Sequence, residues 1–129
     1  GFYEYKNIEG KKHPYYIRPH NHAIAFAGLF KEWHHQDQSA YSCALIVTHA
    51  HPKLAHIHKK SLPVMLSPAE VDSWINPANT DTAKFSGLFK PRLRFDFLAI
   101  PVDPVFNRTI NKHPDCIVPI APPESIPAD

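Results

Sequence analysis

Gly1-Phe2-Tyr3-Glu4-Tyr5-Lys6-Asn7-Ile8-Glu9-Gly10-Lys11-Lys12-His13-Pro14-Tyr15-Tyr16-Ile17-Arg18 opens the chain and decides its class. Phe2 to Lys6 and Tyr15 to Arg18 are aromatic, β-favouring segments. Between them Asn7-Ile8-Glu9-Gly10-Lys11-Lys12 is rich in turn formers, so the stretch predicts a β-hairpin with a long basic loop. The chain opens with Gly1 already in a strand-like pattern and without an initiator Met, the sign of a chain that begins inside a domain.

Outward from the hairpin, Ala23 to Trp33 is nearly continuous in small and apolar residues, which predicts a central strand covered on both sides. Tyr41 to Thr48, with Leu45-Ile46-Val47 at its heart, predicts a second buried strand. Pro52 to Lys60 fits a short helix with Pro52 in its first turn, and Leu62 to Leu66 is a short β-like run. Ser67-Pro68-Ala69-Glu70 is the sharpest local signal. Ser67 can cap, Pro68 suits the first helical position and Glu70 completes a capping box, so a helix runs from Pro68 to about Ile75 and stops at Asn76-Pro77. Thr80 or Asp81 to Phe89 predicts a second helix. Leu93 to Val102 returns to strand, with Leu93, Phe95, Phe97 and Ala99 on one face and Arg94 and Asp96 on the other. Seven of the fourteen prolines fall between Pro101 and Pro127, so residues 101–129 are expected to run extended over the body without ladders of their own. The order implies an α+β fold: a mixed, barrel-like β-sheet with a few short flanking helices.

Composition bounds the rest. A chain of 129 residues is the size of one domain. Hydrophobic residues at 43% with charged residues at 20% describe a folded chain, and a formal charge of +2 argues by itself for neither nucleic acid nor membrane. No run approaches the ~18 apolar residues of a membrane span, and the sequence holds no basic-then-apolar signal-peptide pattern. Cys43 lies in an apolar run and reads as a buried, inert thiol, which with only two cysteines favours a reducing compartment. The expectation is a cytoplasmic monomer.

Ten histidines invite a metal reading. His49-x-His51 and His56-x-His58 lie close together, but no H-E-x-x-H or paired-cysteine spacing accompanies them. Solvated surface histidines are the commoner outcome, and a histidine metallohydrolase is the weaker hypothesis; no metal or other cofactor is expected. Glycine-rich phosphate loops and G-x-S-x-G are absent. What remains is a carboxylate on an aromatic strand, Glu4 between Tyr3 and Tyr5, and His58 followed by Lys59-Lys60.

These residues, in order, carry a resemblance. Gly1-Phe2-Tyr3-Glu4-Tyr5, Pro14-Tyr15-Tyr16-Ile17, Ala27-Gly28-Leu29-Phe30-Lys31-Glu32-Trp33, Ser42-Cys43-Ala44-Leu45-Ile46-Val47-Thr48, Ile57-His58 and Pro63-Val64-Met65-Leu66-Ser67-Pro68 with Trp74 resemble the SRAP domain (SOS response-associated peptidase) over residues 1 to about 105. That family's blocks read G-F-Y-E-W, A-G-L-W-x-x-W, an apolar strand ending in Thr, and I-H-x-R-x-P. Here Tyr5 and Phe30 stand for Trp, Lys60 stands for Arg, and four residues separate His58 from Pro63 where two or three are usual.

The resemblance implies recognition of abasic sites in single-stranded DNA. It also implies a covalent crosslink, a thiazolidine formed by the amine and thiol of an N-terminal cysteine, with an associated self-processing peptidase activity in the DNA damage response. It assigns Glu4 and His58 as catalytic proton-transfer groups, and Tyr5, Thr48, Lys59 and Lys60 as contacts to DNA. Acting on DNA would associate the protein with the nucleoid. The cysteine and an upstream segment of about a hundred residues, within the size of one domain, are not in this chain. The expectation is therefore a single incomplete domain over 1–129, the C-terminal part of an SRAP-like unit. A non-catalytic single-strand-binding module of the same fold is the alternative.

Overall fold

The computed structural model describes residues 1–106 and 112–129; the part of the proline-rich tail at 107–111 lies outside the described residues. Strand β1 (Phe2–Ile8) turns back into β2 (Lys11–Pro19). Short β3 (Ala25–Phe26) leads to a hairpin of β4 (Gly28–His35) and β5 (Gln38–Leu45). Then come β6 (Val47–His49), β7 (Ser61–Pro63), β8 (Met65–Leu66), helix α1 (Pro68–Ile75), β9 (Phe97–Pro101) and β10 (Glu124–Ile126). Every ladder is antiparallel.

The fold is α+β and mostly strand, as expected, but the sheets do not close into a barrel. The largest is four-stranded and open, in the order β1-β2-β9-β10, and three two-stranded ladders surround it. Ala27, fully buried, ties these small ladders together: its N–H donates to the Val64 carbonyl at 2.8 Å, and its own carbonyl accepts from Ile46 at 2.9 Å.

The opening hairpin is tighter than its sequence suggests. Asn7 pairs with Lys12 and Ile8 with Lys11, which leaves a two-residue turn at Glu9-Gly10 in place of the long loop. Both turn residues have positive φ, 50° and 80°, the conformation that matches the twist of a two-residue hairpin.

Ile17, Leu54, Ile57, Leu62, Met65, Leu93, Phe97, Ala99 and Ile126 form the main core, where the four-stranded sheet meets the turn between β6 and β7. Ala27, Val64 and Leu66 form a second one against Val71 and Trp74 of α1. The capping box is present: Glu70 accepts from the Ser67 backbone N–H at 2.7 Å, and it also pairs with Arg94 at 2.8 Å.

Other expectations need correction. Pro52–Lys60 is only a 3-10 turn at Pro52–Leu54, whose N-terminal donor Lys53 N–H is taken by the His51 side chain. Thr82–Phe89 is 3-10 rather than α-helical, with the poor helix formers Ser86-Gly87 inside it and no capping box like that of α1. The tail makes a ladder after all. Glu124-Ser125-Ile126, the proline-free triplet between Pro123 and Pro127, pairs with β9 as an edge strand.

The largest departure is the β4–β5 hairpin. Both strands form, but neither is buried: Leu29, Phe30, Trp33, Tyr41 and Leu45 are all more than half exposed, and Cys43 is exposed rather than inert in a core. Apolar composition made the strands legible, yet among the described residues nothing covers either face. No helix among the described residues is long and apolar enough to cross a membrane.

Glu9 bears a side chain in a left-handed conformation that Asn adopts more readily. Glu9→Asn is expected to stabilise the chain by about 0.5–1 kcal/mol, read as a higher urea midpoint at unchanged slope. An unmoved midpoint would show that the turn carries no strain.

Candidate functional site

Period-two alternation along β1 sets Phe2, Glu4 and Lys6 on one face and Tyr3 and Tyr5 on the other. Phe2 packs against the main core and meets Phe26 edge-on at 5.5 Å, so it drags Glu4 inward with it. Opposite lies the turn after His51. The Leu54 carbonyl accepts from both Ile57 N–H at 2.9 Å and His58 N–H at 3.0 Å, which buries Ile57 and aims His58 at β1.

The result is a carboxylate–imidazole pair. His58 Nδ1 lies 3.1 Å from Glu4 Oε2, with the two side chains 27% and 16% exposed. Burial pushes the Glu4 carboxyl above its ordinary value, an effect that His58 and the Tyr5 backbone N–H partly offset. With Nδ1–H donating to the carboxylate, a neutral His58 keeps Nε2 as its basic nitrogen. A carboxylate and an imidazole in hydrogen-bond contact can pass a proton in either direction.

His58 opens onto a cleft of about 670 Å³ lined by Tyr5, Lys6, Asn7, Lys12, His56, Ile57, Lys59 and Lys60. One wall is the β1–β2 hairpin and the other the turn that carries His58. Lys12 Nζ lies 6.0 Å from the Tyr5 ring centroid. Four lysines around one acid–base pair make the cleft a place for a polyanion.

Tyr5, His58, Lys59 and Lys60 thus line one cleft, and Glu4 joins them through His58. Thr48 is not among the cleft-lining residues; it pairs with Leu62 in the β6–β7 ladder and donates its hydroxyl to the Phe89 carbonyl at 2.7 Å. Lys6, Asn7 and Lys12 were missed in the sequence, and His56 was weighed there only as a metal ligand. The tight turn is the signal that could have found them, because it sets Asn7 against Lys12 and Lys6 against His13. The histidines weighed as metal ligands go separate ways: His51 to Asp129, His56 to Glu124 and His58 to Glu4. Among the described residues no three His, Cys, Asp or Glu side chains cluster.

An open antiparallel sheet, a carboxylate–imidazole pair and a lysine-lined cleft onto which the imidazole opens define a small α+β domain with one basic candidate site. The family model "SOS response associated peptidase (SRAP)" matches residues 1–109, and the chain belongs to that family. It is 32% identical over 119 residues to the abasic site processing protein YoqW of Bacillus subtilis, covering 90% of this chain and 53% of that one. The B. subtilis abasic site processing protein YoaM is 34% identical over 113 residues, covering 85% and 49%. Abasic site processing protein HMCES of Gallus gallus is 25% identical over 141 residues, covering 93% and 41%. The chain thus spans about half the length of these relatives. A crystal structure of a protein from Bacteroides thetaiotaomicron superposes with a TM-score of 0.81 at 22% identity, covering 94% of this chain and 54% of that one, and shares the fold.

Because the folded Glu4 carboxyl holds its proton above the ordinary 4.5, the native state binds more protons than the unfolded state in the window just above that value. Its contribution to stability therefore falls as pH rises through the window. Glu4→Gln removes the effect, so the variant should gain melting temperature relative to the parent as pH rises through the range above 4.5. A constant difference across that range would mean that Glu4 titrates normally.

Proposed function

We propose that this chain is the C-terminal part of an SRAP domain that recognises abasic sites in single-stranded DNA and traps them covalently. The observation that carries the reading is the Glu4–His58 pair, 3.1 Å apart, with His58 opening onto a lysine-lined cleft and Glu4 behind it. In the proposed reaction the amine of an N-terminal cysteine supplied by the upstream segment attacks the open-chain sugar aldehyde. Loss of water gives an imine, and the thiol adds across it to close a thiazolidine. Protons must leave nitrogen and reach the sugar oxygen, and Glu4 and His58 are the groups suited to carry them. The same pair would serve removal of residues ahead of the cysteine, as a self-processing peptidase.

Phosphates run along the cleft in this reading, held by Lys59 and Lys60 as point charges; a lysine in the place of the family arginine neutralises without a bidentate fork. Tyr5 stacks on a base beside the lesion. Thr48 contacts the DNA backbone from the neighbouring ladder once its bond to Phe89 is exchanged. The upstream segment also covers the exposed faces of the β4–β5 hairpin. The protein works as a monomer in the cytoplasm, at the nucleoid during the response to DNA damage.

The test uses the protein made from its natural start codon, incubated with single-stranded DNA bearing one abasic site and resolved on a denaturing gel. A heat-resistant shifted band is expected, and Glu4→Gln and His58→Ala each slow its appearance by about a hundredfold. Non-covalent binding with no band would establish the binding module in place of the crosslinking protein. Lys59→Ala and Lys60→Ala should each lower the slope of log affinity against log salt by ~0.7, uniformly across sequences. A loss confined to particular sequences would remove them from phosphate contact.

A further inference from the structure

The turn that carries His58 is held at three points by a segment far away in sequence. His51 is buried, and its Nδ1 accepts from Lys53 N–H at 3.2 Å; its Nε2 therefore carries the hydrogen and donates to Asp129 Oδ2 at 3.1 Å. Lys53 Nζ reaches the carbonyls of Pro127 and Ala128 at 3.0 and 2.7 Å and Asp129 Oδ1 at 3.2 Å. His56 Nε2 meets Glu124 Oε2 at 2.8 Å. The segment is itself fixed to the sheet. Ile126 pairs with Phe97, Ala128 N–H donates to Asp96 at 2.8 Å, and Asp129 exchanges bonds with the Leu93 backbone at 2.9 and 3.2 Å.

These contacts close a circuit. Glu4 sits on β1, β1 pairs with β2, β2 with β9 and β9 with β10. The β10 segment grips residues 51, 53 and 56, and their turn delivers His58 back to Glu4. We propose that Glu124–Asp129 is a positioning brace: it sets the distance between His58 and Glu4 without touching the reacting atoms. The brace spans the two sides of the pair, so loosening it lets them drift apart while each keeps its own local fold. A displacement of about 1 Å at such a pair can cost on the order of a hundredfold in rate. The kinetic consequence rests on the proposed acid–base role, whereas the contact itself can be read without DNA.

The experiment uses the protein from its natural start codon carrying Asp129→Ala, with the nuclear Overhauser effect between the His58 ring and the Glu4 γ-methylene as the direct readout. The expected result is a contact at least about twofold weaker and covalent capture at saturating DNA about ten- to a hundredfold slower, with affinity for undamaged single strands within about twofold of the parent. Asp129→Asn keeps an oxygen for both His51 Nε2–H and Leu93 N–H but turns its NH2 to Lys53 Nζ, so it should weaken the contact less than Asp129→Ala does. An unchanged contact in a natively folded Asp129→Ala protein overturns the brace. Should that variant fail to fold, Glu124→Ala breaks the half-exposed pair to His56 instead, and a weakened or unchanged contact then decides in the same sense. A parent protein that forms no covalent product refutes the proposed function but leaves the contact comparison to decide the brace.

Discussion

The register of β1 on β2 is the constraint on which the rest depends. Ile17, with no exposed surface, pairs with Phe2 and fixes the frame in which Tyr15 stands opposite Glu4. Because strand side chains alternate, a slip of one residue would carry Glu4 to the outer face, where Tyr3 and Tyr16 meet with ring centroids 5.5 Å apart, and bring an aromatic ring to His58. Burying Ile17 contributes ~2–3 kcal/mol, but its larger effect is to exclude the slipped alternative. β2 lies between β1 and β9, so the same strand that aims Glu4 also ties it to the core beneath the His58 turn.

The site divides its electrostatics between two depths. The lysines stand at the cleft, where water screens them and long-range attraction to a polyanion costs little desolvation. Glu4 stands behind His58, where burial works against its charge and the imidazole works for it. A carboxylate fully exposed among four lysines would be held firmly ionised and would make a poor proton donor. Withdrawn from the cleft by one side chain, Glu4 keeps a raised proton affinity beside four lysines.

How much of this was legible in the residues follows from where each signal resides. Ser67-Pro68-Ala69-Glu70 determines its helix locally, and Pro68–Ile75 is found where it was read. Glu4 and His58 were legible through the ordered blocks around them, and the structure brings them together. The turn at Glu9-Gly10 was not: glycine marks the place, but only the pairing of Asn7 with Lys12 sets the loop length, and pairing is non-local. Hence Lys6 and Lys12 were overlooked as cleft residues. Apolar content in Ala23–Trp33 and Tyr41–Thr48 announced strands, but content cannot say which partner buries them. The triplet Glu124-Ser125-Ile126 is too short to announce a strand among prolines, and its ladder exists because β9 offers an edge.

The bare β4–β5 hairpin has a consequence for handling the chain. A two-stranded ribbon with Phe30, Tyr41 and Leu45 along one side and Leu29 and Trp33 along the other presents sticky faces and unsatisfied backbone edges together. Lys31, stacked 3.9 Å over Trp33, and Glu32 are its main charged interruptions. Colloidal behaviour, more than folding free energy, therefore governs how concentrated this chain can be kept: ribbons from two molecules can add to one another edge to edge, at a rate that grows with concentration and with the screening of those few charges by salt.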